Sequence, residues 1–129
     1  MLRDLVSGIQ HVGIPTINID RTVDFYQGLG FDLAFSTTDD SGNLDVAFLK
    51  LKNLVIETYQ EGTELSQTGS INHIAIDVND VEEVFKKLME KNYDILDKEI
   101  NFLPFWQNGV KFFTIKGPNN EQIEFSEML

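Results

Sequence analysis

The sequence predicts an α+β fold in which one module occurs twice, each copy consisting of a strand, an amphipathic helix and a further set of strands. Three observations support this prediction. The same order of predicted elements occurs twice, each half opens with an apolar strand that carries one histidine, and each half closes with a strand that carries one glutamate among apolar residues. We expect a single domain over residues 1–129, with module one at about 7–62 and module two at about 70–127.

The first half contains the segments "IQHVGI", "NIDRTVDFYQGLGF", "DVAFLKL" and "LVIETYQ". Its second segment predicts a helix that Asn18 or Asp20 caps and that Gly28 and Gly30 end. Tyr26 lies at the edge of the helix's apolar stripe, and we expect it at the surface. Residues at helical spacing form that stripe: Val23, Phe25, Tyr26 and Leu29.

The second half contains "INHIAIDV", "NDVEEVFKKLMEKNYDI", "GVKFFTIKG" and "EQIEFSE". Asn79 or Asp80 is the expected cap of its helix, and "GPNN" predicts a hairpin turn before the last strand. The polar segment 61–70 predicts a linker between the halves. One helix on an open sheet is a weak unit, so we expect the modules to pack together or to swap between chains. The second helix has its own apolar stripe: Val81, Val84, Phe85, Leu88 and Met89.

Composition and charge restrict the partners. Ten Lys and Arg residues among twenty-one Asp and Glu residues give a net charge of −11, which disfavours nucleic acid and anionic membrane surfaces. No segment approaches the ~18 apolar residues of a membrane span. The chain has no cysteine, which excludes disulfides and thiolate chemistry. The first residues lack the pattern of a secretory signal, so we expect a cytoplasmic protein with a small-molecule substrate.

Strand alternation gives the two histidines of the chain a common direction. Successive strand side chains point to opposite faces, so His11 and His73 point away from the apolar residues that face the helices. By the same alternation, the side chains of Glu57 and Glu124 point to the opposite strand face from the apolar residues directly beside them in sequence. A carboxylate among apolar strand residues is costly unless it is paired or bound to a metal.

Two imidazoles and two carboxylates at repeat-equivalent positions predict a metal site formed by His11, Glu57, His73 and Glu124. This mixed nitrogen and oxygen donor set suits a divalent ion such as Zn²⁺, Ni²⁺, Co²⁺, Fe²⁺ or Mn²⁺. Such an ion acts as a Lewis acid on a bound carbonyl. The alternative is structural: half-buried imidazoles near a sheet and solvent-facing strand carboxylates.

In this order and twice over, the segments "HVGI…DFYQGLGF", "VIETY", "INHIAIDV" and "GPNNEQIEF" resemble the vicinal oxygen chelate (glyoxalase/bleomycin resistance protein/dioxygenase) superfamily. The order His, Glu, His, Glu is most similar to its glyoxalase I (lactoylglutathione lyase) branch. The resemblance implies that two repeated βαβββ modules form a cupped mixed sheet with the helices on the outside. It also implies a homodimer and favours Ni²⁺ or Zn²⁺. The four ligands are expected either within one chain or shared between two swapped chains.

The resemblance also implies a reaction, the isomerisation of a small α-oxo compound or its thiol hemithioacetal. Glu124 would remove the proton next to the carbonyl and Glu57 would return it to the neighbouring carbon. Bacterial glyoxalase I proteins hold glutathione with an Arg and an Asn where this chain has Pro15 and Glu61. A low-molecular-weight thiol co-substrate other than glutathione, or no thiol, is therefore left open.

The aromatic segment "FLPFWQNG" offers Phe105 and Trp106 as a wall or lid over an apolar substrate. The alternative is packing against the other module or at a dimer interface. Two other functions remain open for the whole chain. One is a different metal-dependent reaction of the superfamily, epimerisation or ring cleavage, and the other is metal-free ligand sequestration of the bleomycin-resistance type.

Overall fold

The computed structural model describes residues 3–5, 8–65, 67–69 and 71–129, and it contains the expected βαβββ order twice. The chain divides into two compact units, Met1–Glu64 and Leu65–Leu129. Ser7 and Ser70, at the expected starts of the modules, lie outside the described residues. The first unit contains β1 (Val12–Thr16), α1 (Ile19–Gly28), β2 (Asp32–Thr38), β3 (Leu44–Leu51) and β4 (Leu54–Gln60). The second contains β5 (Ile74–Asp77), α2 (Val81–Glu90), β6 (Asn101–Leu103), β7 (Val110–Lys116) and β8 (Gln122–Met128).

Each unit has one four-stranded mixed sheet. The strand orders are β1-β4-β3-β2 and β5-β8-β7-β6, so the first strand of each unit pairs with the last. These outer pairs, β1 with β4 and β5 with β8, are parallel, and the other pairs are antiparallel. A parallel pair needs a long crossover, and the helix and the two middle strands provide it. The predicted α+β class is confirmed.

In the first unit, α1 covers one face of the sheet. Asn18 caps the helix, as expected, by accepting a hydrogen bond from the Arg21 N–H. The covered face buries apolar strand residues such as Ile14, Leu49 and Ile56. The expectation that Tyr26 lies at the surface is wrong, because its side chain is fully buried and its ring packs edge-on against Phe31.

In the second unit, Asp80 caps α2 by accepting a hydrogen bond from the Glu83 N–H. Val81 and Leu88 are buried. Met89 is 53% exposed, so its assignment to the buried stripe is wrong. It follows Leu88 by one residue, and the resulting turn of about 100° carries its side chain off the covered face.

The turn "GPNN" joins β7 to β8 as expected. The Gly117 N–H donates to the Glu121 carbonyl over 2.8 Å, and Asn120 has φ +63°. Asparagine tolerates this left-handed conformation better than most residues. Neither helix of the described ranges is long and apolar enough to cross a membrane.

We predict that Ile56→Ala lowers the free energy of unfolding by about 2–5 kcal/mol, because Ile56 is buried on the face that α1 covers. Val55→Ala is the matched control, since Val55 lies on the opposite face of β4 and is partly exposed. Urea denaturation of the two variants measures the difference. Equal losses would contradict this assignment of the two sheet faces.

Candidate metal centre

The first unit brings His11 and Glu57 together across the parallel strands β1 and β4. Gly13 of β1 is the Cα partner of Glu57, and His11 precedes Gly13 by two residues, so the two side chains share one face. The distance from His11 Nε2 to Glu57 Oε1 is 3.9 Å. Both side chains are partly exposed on the face that α1 leaves open. The first unit therefore carries one imidazole and one carboxylate side by side.

The second unit repeats this geometry with His73 and Glu124. Ala75 of β5 is the Cα partner of Glu124, and His73 precedes Ala75 by two residues. His73 Nε2 lies 3.5 Å from Glu124 Oε2. Each unit therefore carries one imidazole and one carboxylate at the same register of the same pair of strands. A convergence of the two pairs on one ion remains a prediction.

An amide side chain orients each imidazole. The Nδ1 of His11 lies 3.0 Å from the Gln10 amide oxygen, and the Nδ1 of His73 lies 3.0 Å from the Asn72 amide oxygen. An amide oxygen only accepts, so each contact is a hydrogen bond when Nδ1 carries the ring proton, and in that tautomer Nε2 keeps its lone pair. Sequence reasoning missed both amides, although each directly precedes its histidine in the repeat.

The donors fit a divalent metal ion. Ligand atoms held ~2.1 Å from one ion at angles of about 90–110° lie roughly 3.0–3.4 Å apart. The two separations, 3.5 Å and 3.9 Å, lie just above this range, so small side-chain rotations suffice. In metal-binding histidines, the ring nitrogen that does not bind the ion usually donates a hydrogen bond to an acceptor oxygen, and the amide oxygens at Nδ1 provide such an acceptor here. Nε2 atoms and carboxylate oxygens together suit a borderline divalent ion.

Two aromatic rings lie beside the first pair. Phe48 of β3 is the Cα partner of Glu57, and its ring lies edge-on to the His11 ring with 5.5 Å between centroids. The Phe35 ring follows at 6.1 Å from that of Phe48. In the second unit, the partner of Glu124 on β7 is Thr114. Sequence reasoning missed Phe48, because its place beside Glu57 depends on the register of two strands.

Phe105 and Trp106 lie in the segment between β6 and β7, with 54% and 77% of their surfaces exposed. They do not belong to the core of the second unit. Their contact with a substrate remains a prediction, as does the interface alternative. Pro15 pairs with Tyr59 in the β1–β4 ladder, and Glu61 is exposed beyond β4.

A cluster of three acids, Asp80, Glu82 and Glu127, lies at the start of α2. Asp80 caps the helix, and the Glu127 carboxylate accepts the Val81 N–H. The ammonium group of Lys111 donates to Glu82 over 2.7 Å, and this bond lowers the pKa of the Glu82 carboxyl. The cluster therefore has structural partners of its own and stabilises the helix N-terminus.

The fold and the site together define the class of protein. It has two βαβββ units, and each unit carries one histidine and one glutamate on the open face of its sheet. The chain belongs to the glyoxalase/bleomycin resistance protein/dioxygenase superfamily, whose family model matches residues 8–125. This confirms the expected superfamily, and the glyoxalase I branch remains a prediction. The superfamily includes many metalloenzymes, and its members commonly bind divalent metals and small-molecule substrates and often form dimers.

Two relatives are similar along most of the chain. The uncharacterized protein YwbC of Bacillus subtilis (strain 168) is 34% identical over 122 residues, which are 91% of this chain and 94% of that protein. A mitochondrial methylmalonyl-CoA epimerase of Dictyostelium discoideum is 26% identical over 102 residues, which are 71% of this chain and 61% of the epimerase.

Two solved structures share the fold. A glyoxalase family protein from Enterococcus faecalis has a TM-score of 0.76 at 23% identity, covering 95% of this chain and 99% of that one. The fosfomycin resistance protein FosX from Listeria monocytogenes, complexed with Mn(II) and sulfate, has a TM-score of 0.73 at 18% identity. The match covers 96% of this chain and 94% of FosX. At these identities the likeness concerns the fold alone.

We predict that the neutral imidazoles of the metal-free protein carry their proton on Nδ1. The chain has only two histidines, so ¹⁵N-detected proton–nitrogen correlation spectra resolve each ring. Asn72→Ala should shift His73 toward the Nε2–H tautomer, because the acceptor of its Nδ1 proton is lost. His11 should keep its tautomer in that variant and lose it in Gln10→Ala. If neither imidazole changes its tautomer in either variant, the assignment is wrong.

Proposed function

We propose that this chain is a metal-dependent enzyme of the glyoxalase I type. It binds one divalent ion with His11, Glu57, His73 and Glu124 and isomerises a small α-oxo compound or its thiol hemithioacetal. One observation carries the proposal: the same imidazole–carboxylate pair occurs at the same strand register in both units. The amide partner at each Nδ1 is repeated as well, which supports the proposal further.

The reaction moves a proton between adjacent carbons. When bound, the ion supplies Lewis-acid stabilisation of the negative charge that develops on the substrate oxygens. In the proposed roles, the Glu124 carboxylate takes the proton from the carbon next to the carbonyl, and Glu57, in its protonated carboxylic acid form, delivers a proton to the neighbouring carbon. Proton exchange with solvent then returns both groups to their starting forms. His11 and His73 hold the ion through Nε2, and Gln10 and Asn72 keep both rings in the orientation that this requires.

Glu57 is the residue that favours the glyoxalase I type within the superfamily. By resemblance, dioxygenases and fosfomycin-resistance enzymes use three ligands, and epimerase-like members carry glutamine where this chain has Glu57. Here the carboxylate of Glu57 shares its sheet face with His11 and lies within 3.9 Å of it. As the second carboxylate among the four ligands, Glu57 would supply the second proton carrier that an isomerisation between two carbons uses.

Epimerisation is the second candidate, and the 26% identical methylmalonyl-CoA epimerase relative favours it. Both reactions begin with removal of a proton next to a carbonyl. They differ in the return of the proton, which goes to the opposite face of the same carbon in epimerisation and to the neighbouring carbon in the glyoxalase type.

We predict that the purified chain binds about one Ni²⁺ or Zn²⁺ per chain. Removal of a ligand in His73→Ala or Glu57→Gln should weaken metal binding by at least ~10–100-fold. Loss of a residue that only hydrogen-bonds to a metal ligand already has an effect of this size. Glu61→Gln is the matched control, since Glu61 is an exposed acid just beyond β4. Elemental analysis and isothermal titration calorimetry give stoichiometry and affinity. Equal affinity in all variants would refute the metal site.

We predict that Glu124→Gln lowers kcat on an isomerised substrate by about 10²–10⁴-fold, because the base is lost. Hemithioacetals of methylglyoxal with glutathione, cysteine and coenzyme A, and methylglyoxal alone, form the substrate panel. Incorporation of solvent deuterium at the neighbouring carbon reports the proton transfer by mass spectrometry. If the metal-loaded protein acts on none of the panel but epimerises a 2-methyl-branched acyl thioester, the second candidate replaces the first.

Mixing two inactive variants distinguishes ligands within one chain from ligands shared by two. If the pairs of two chains meet, a heterodimer of His11→Ala with His73→Ala contains one site with both histidines and one with neither. Metal binding then returns to one of the two sites of each heterodimer. If each chain builds its own site, every site lacks one histidine and the mixture binds no more metal than its components.

A further inference from the structure

We infer that Gln60 and Glu127 are positioning residues for the two imidazole–carboxylate pairs. Each of them hydrogen-bonds the strand that carries a site glutamate to the start of the helix in the same unit, and we call this connection the strand–helix link. The inference deepens the proposed function and rests on it, because the pairs are taken as metal ligands. It assigns to the two links the task of keeping imidazole and carboxylate at a fixed separation.

In the first unit, Gln60 forms the link with both polar atoms of its amide. Its oxygen accepts the Ile19 N–H over 3.0 Å, and its nitrogen donates to the Ile17 carbonyl over 2.6 Å. Ile19 is the first residue of α1, and Ile17 lies in the turn between β1 and α1. Gln60 is an exposed residue at the end of β4. Its position therefore depends on these two hydrogen bonds and not on burial.

Glu127 repeats the link in the second unit. Its carboxylate accepts the N–H of Val81, the first residue of α2, over 3.2 Å. Glu127 follows Glu124 by three residues, and Gln60 follows Glu57 by the same interval. An odd interval along a strand places the linking side chain on the helix-covered face and the site carboxylate on the open face. The same connection therefore occurs at equivalent positions of both units.

The links act on the strands that bring each pair together. In the order of the described strands, β1 is an edge strand beside β4, and β5 is an edge strand beside β8. An edge strand is held from one side, and its slippage along the neighbouring strand would change the separation of imidazole and carboxylate. Gln60 connects β4 to the turn that ends β1, and Glu127 connects β8 to the helix that follows β5. Both links therefore oppose this slippage.

The neighbouring charges account for the use of an amide in one link and a carboxylate in the other. Lys111 is the Cα partner of Glu127 on β7, so the carboxylate faces a cation. Asp45 has the corresponding place on β3, one residue before the Cα partner of Tyr59. A glutamate in place of Gln60 would face this acid, and like charges directly opposite each other destabilise a sheet. Each link therefore has the acceptor that its cross-strand neighbour permits.

Histidine spectra of the metal-free protein test the inference without a metal. Gln60→Ala should shift the ring signals of His11 and leave those of His73 in place, because only the first link is lost. The Phe48 ring lies 5.5 Å from the His11 ring, which makes the His11 signals sensitive to movement of β1 relative to β3 and β4. Glu127→Ala should give the reverse pattern. Proton–nitrogen correlation spectra resolve the two rings of the chain.

Isothermal titration calorimetry with Ni²⁺ measures the consequence for metal binding. Each alanine variant should bind Ni²⁺ about tenfold more weakly, the lower end of the range for residues that support a metal ligand indirectly. Glu127→Gln keeps an oxygen acceptor, copies the amide of the first unit and should retain the affinity of the parent protein. If the parent protein binds no Ni²⁺, the proposed function fails, and the ring signals of the metal-free variants still decide whether the links position the imidazoles.

Asn18→Ala is the matched control for a helix that is merely less stable. It removes the cap of α1 and leaves both hydrogen bonds of Gln60 in place. Gln60→Met removes these bonds at a similar side-chain length and serves if the alanine variant folds poorly. Urea denaturation gives the stability of each variant, so that variants of similar stability are compared.

Unchanged His11 signals in both Gln60→Ala and Gln60→Met would overturn the inference. It would also be overturned if Asn18→Ala shifted the His11 signals as far as Gln60→Ala does at similar stability. The signals would then follow a general loosening of the start of α1 and not the link to β4.

Discussion

The parallel pairing of the first and last strands in each unit is the constraint on which the candidate site depends. It places residues that are far apart in sequence side by side, and strand alternation then selects which of them share a face. A shift of one residue in this register would move Glu57 or Glu124 to the helix-covered face, where an unpaired carboxylate is costly. The buried residues on that face, such as Ile56 and Ile123, oppose such a shift.

The features that the sequence predicted correctly are those that follow from local periodicity. Strand alternation indicated that each histidine and glutamate faces away from the helices, and the caps of both helices follow from a polar residue before an apolar stripe. Tyr26 and Met89 show the limit of this reasoning. Both lie at the margin of a stripe, where a rotation of one residue decides burial, and the packing of the sheet beneath settles it.

The features that sequence reasoning missed depend on pairing between distant strands or on side-chain hydrogen bonds. Phe48 lies beside Glu57 only because β3 and β4 adopt one particular register, which the sequence of either strand alone does not specify. Gln10 and Asn72 differ in length and still place an amide oxygen 3.0 Å from the neighbouring Nδ1. Their position directly before each histidine was visible, but a polar residue at the start of a strand has many other uses.

The difference between Phe48 and Thr114 affects the orientation in which a substrate would bind. In the proposed site, two equivalent imidazole–carboxylate pairs would make a nearly symmetric set of donors, and a symmetric set would hold a substrate equally well in either of two reversed orientations. In one orientation a given carboxylate meets the acidic carbon, and in the other it meets the carbon that must receive the proton. In the proposed site, Phe48 beside Glu57 and Thr114 beside Glu124 would remove this ambiguity, so two modules that differ at this ladder position would distinguish the two ends of a ligand.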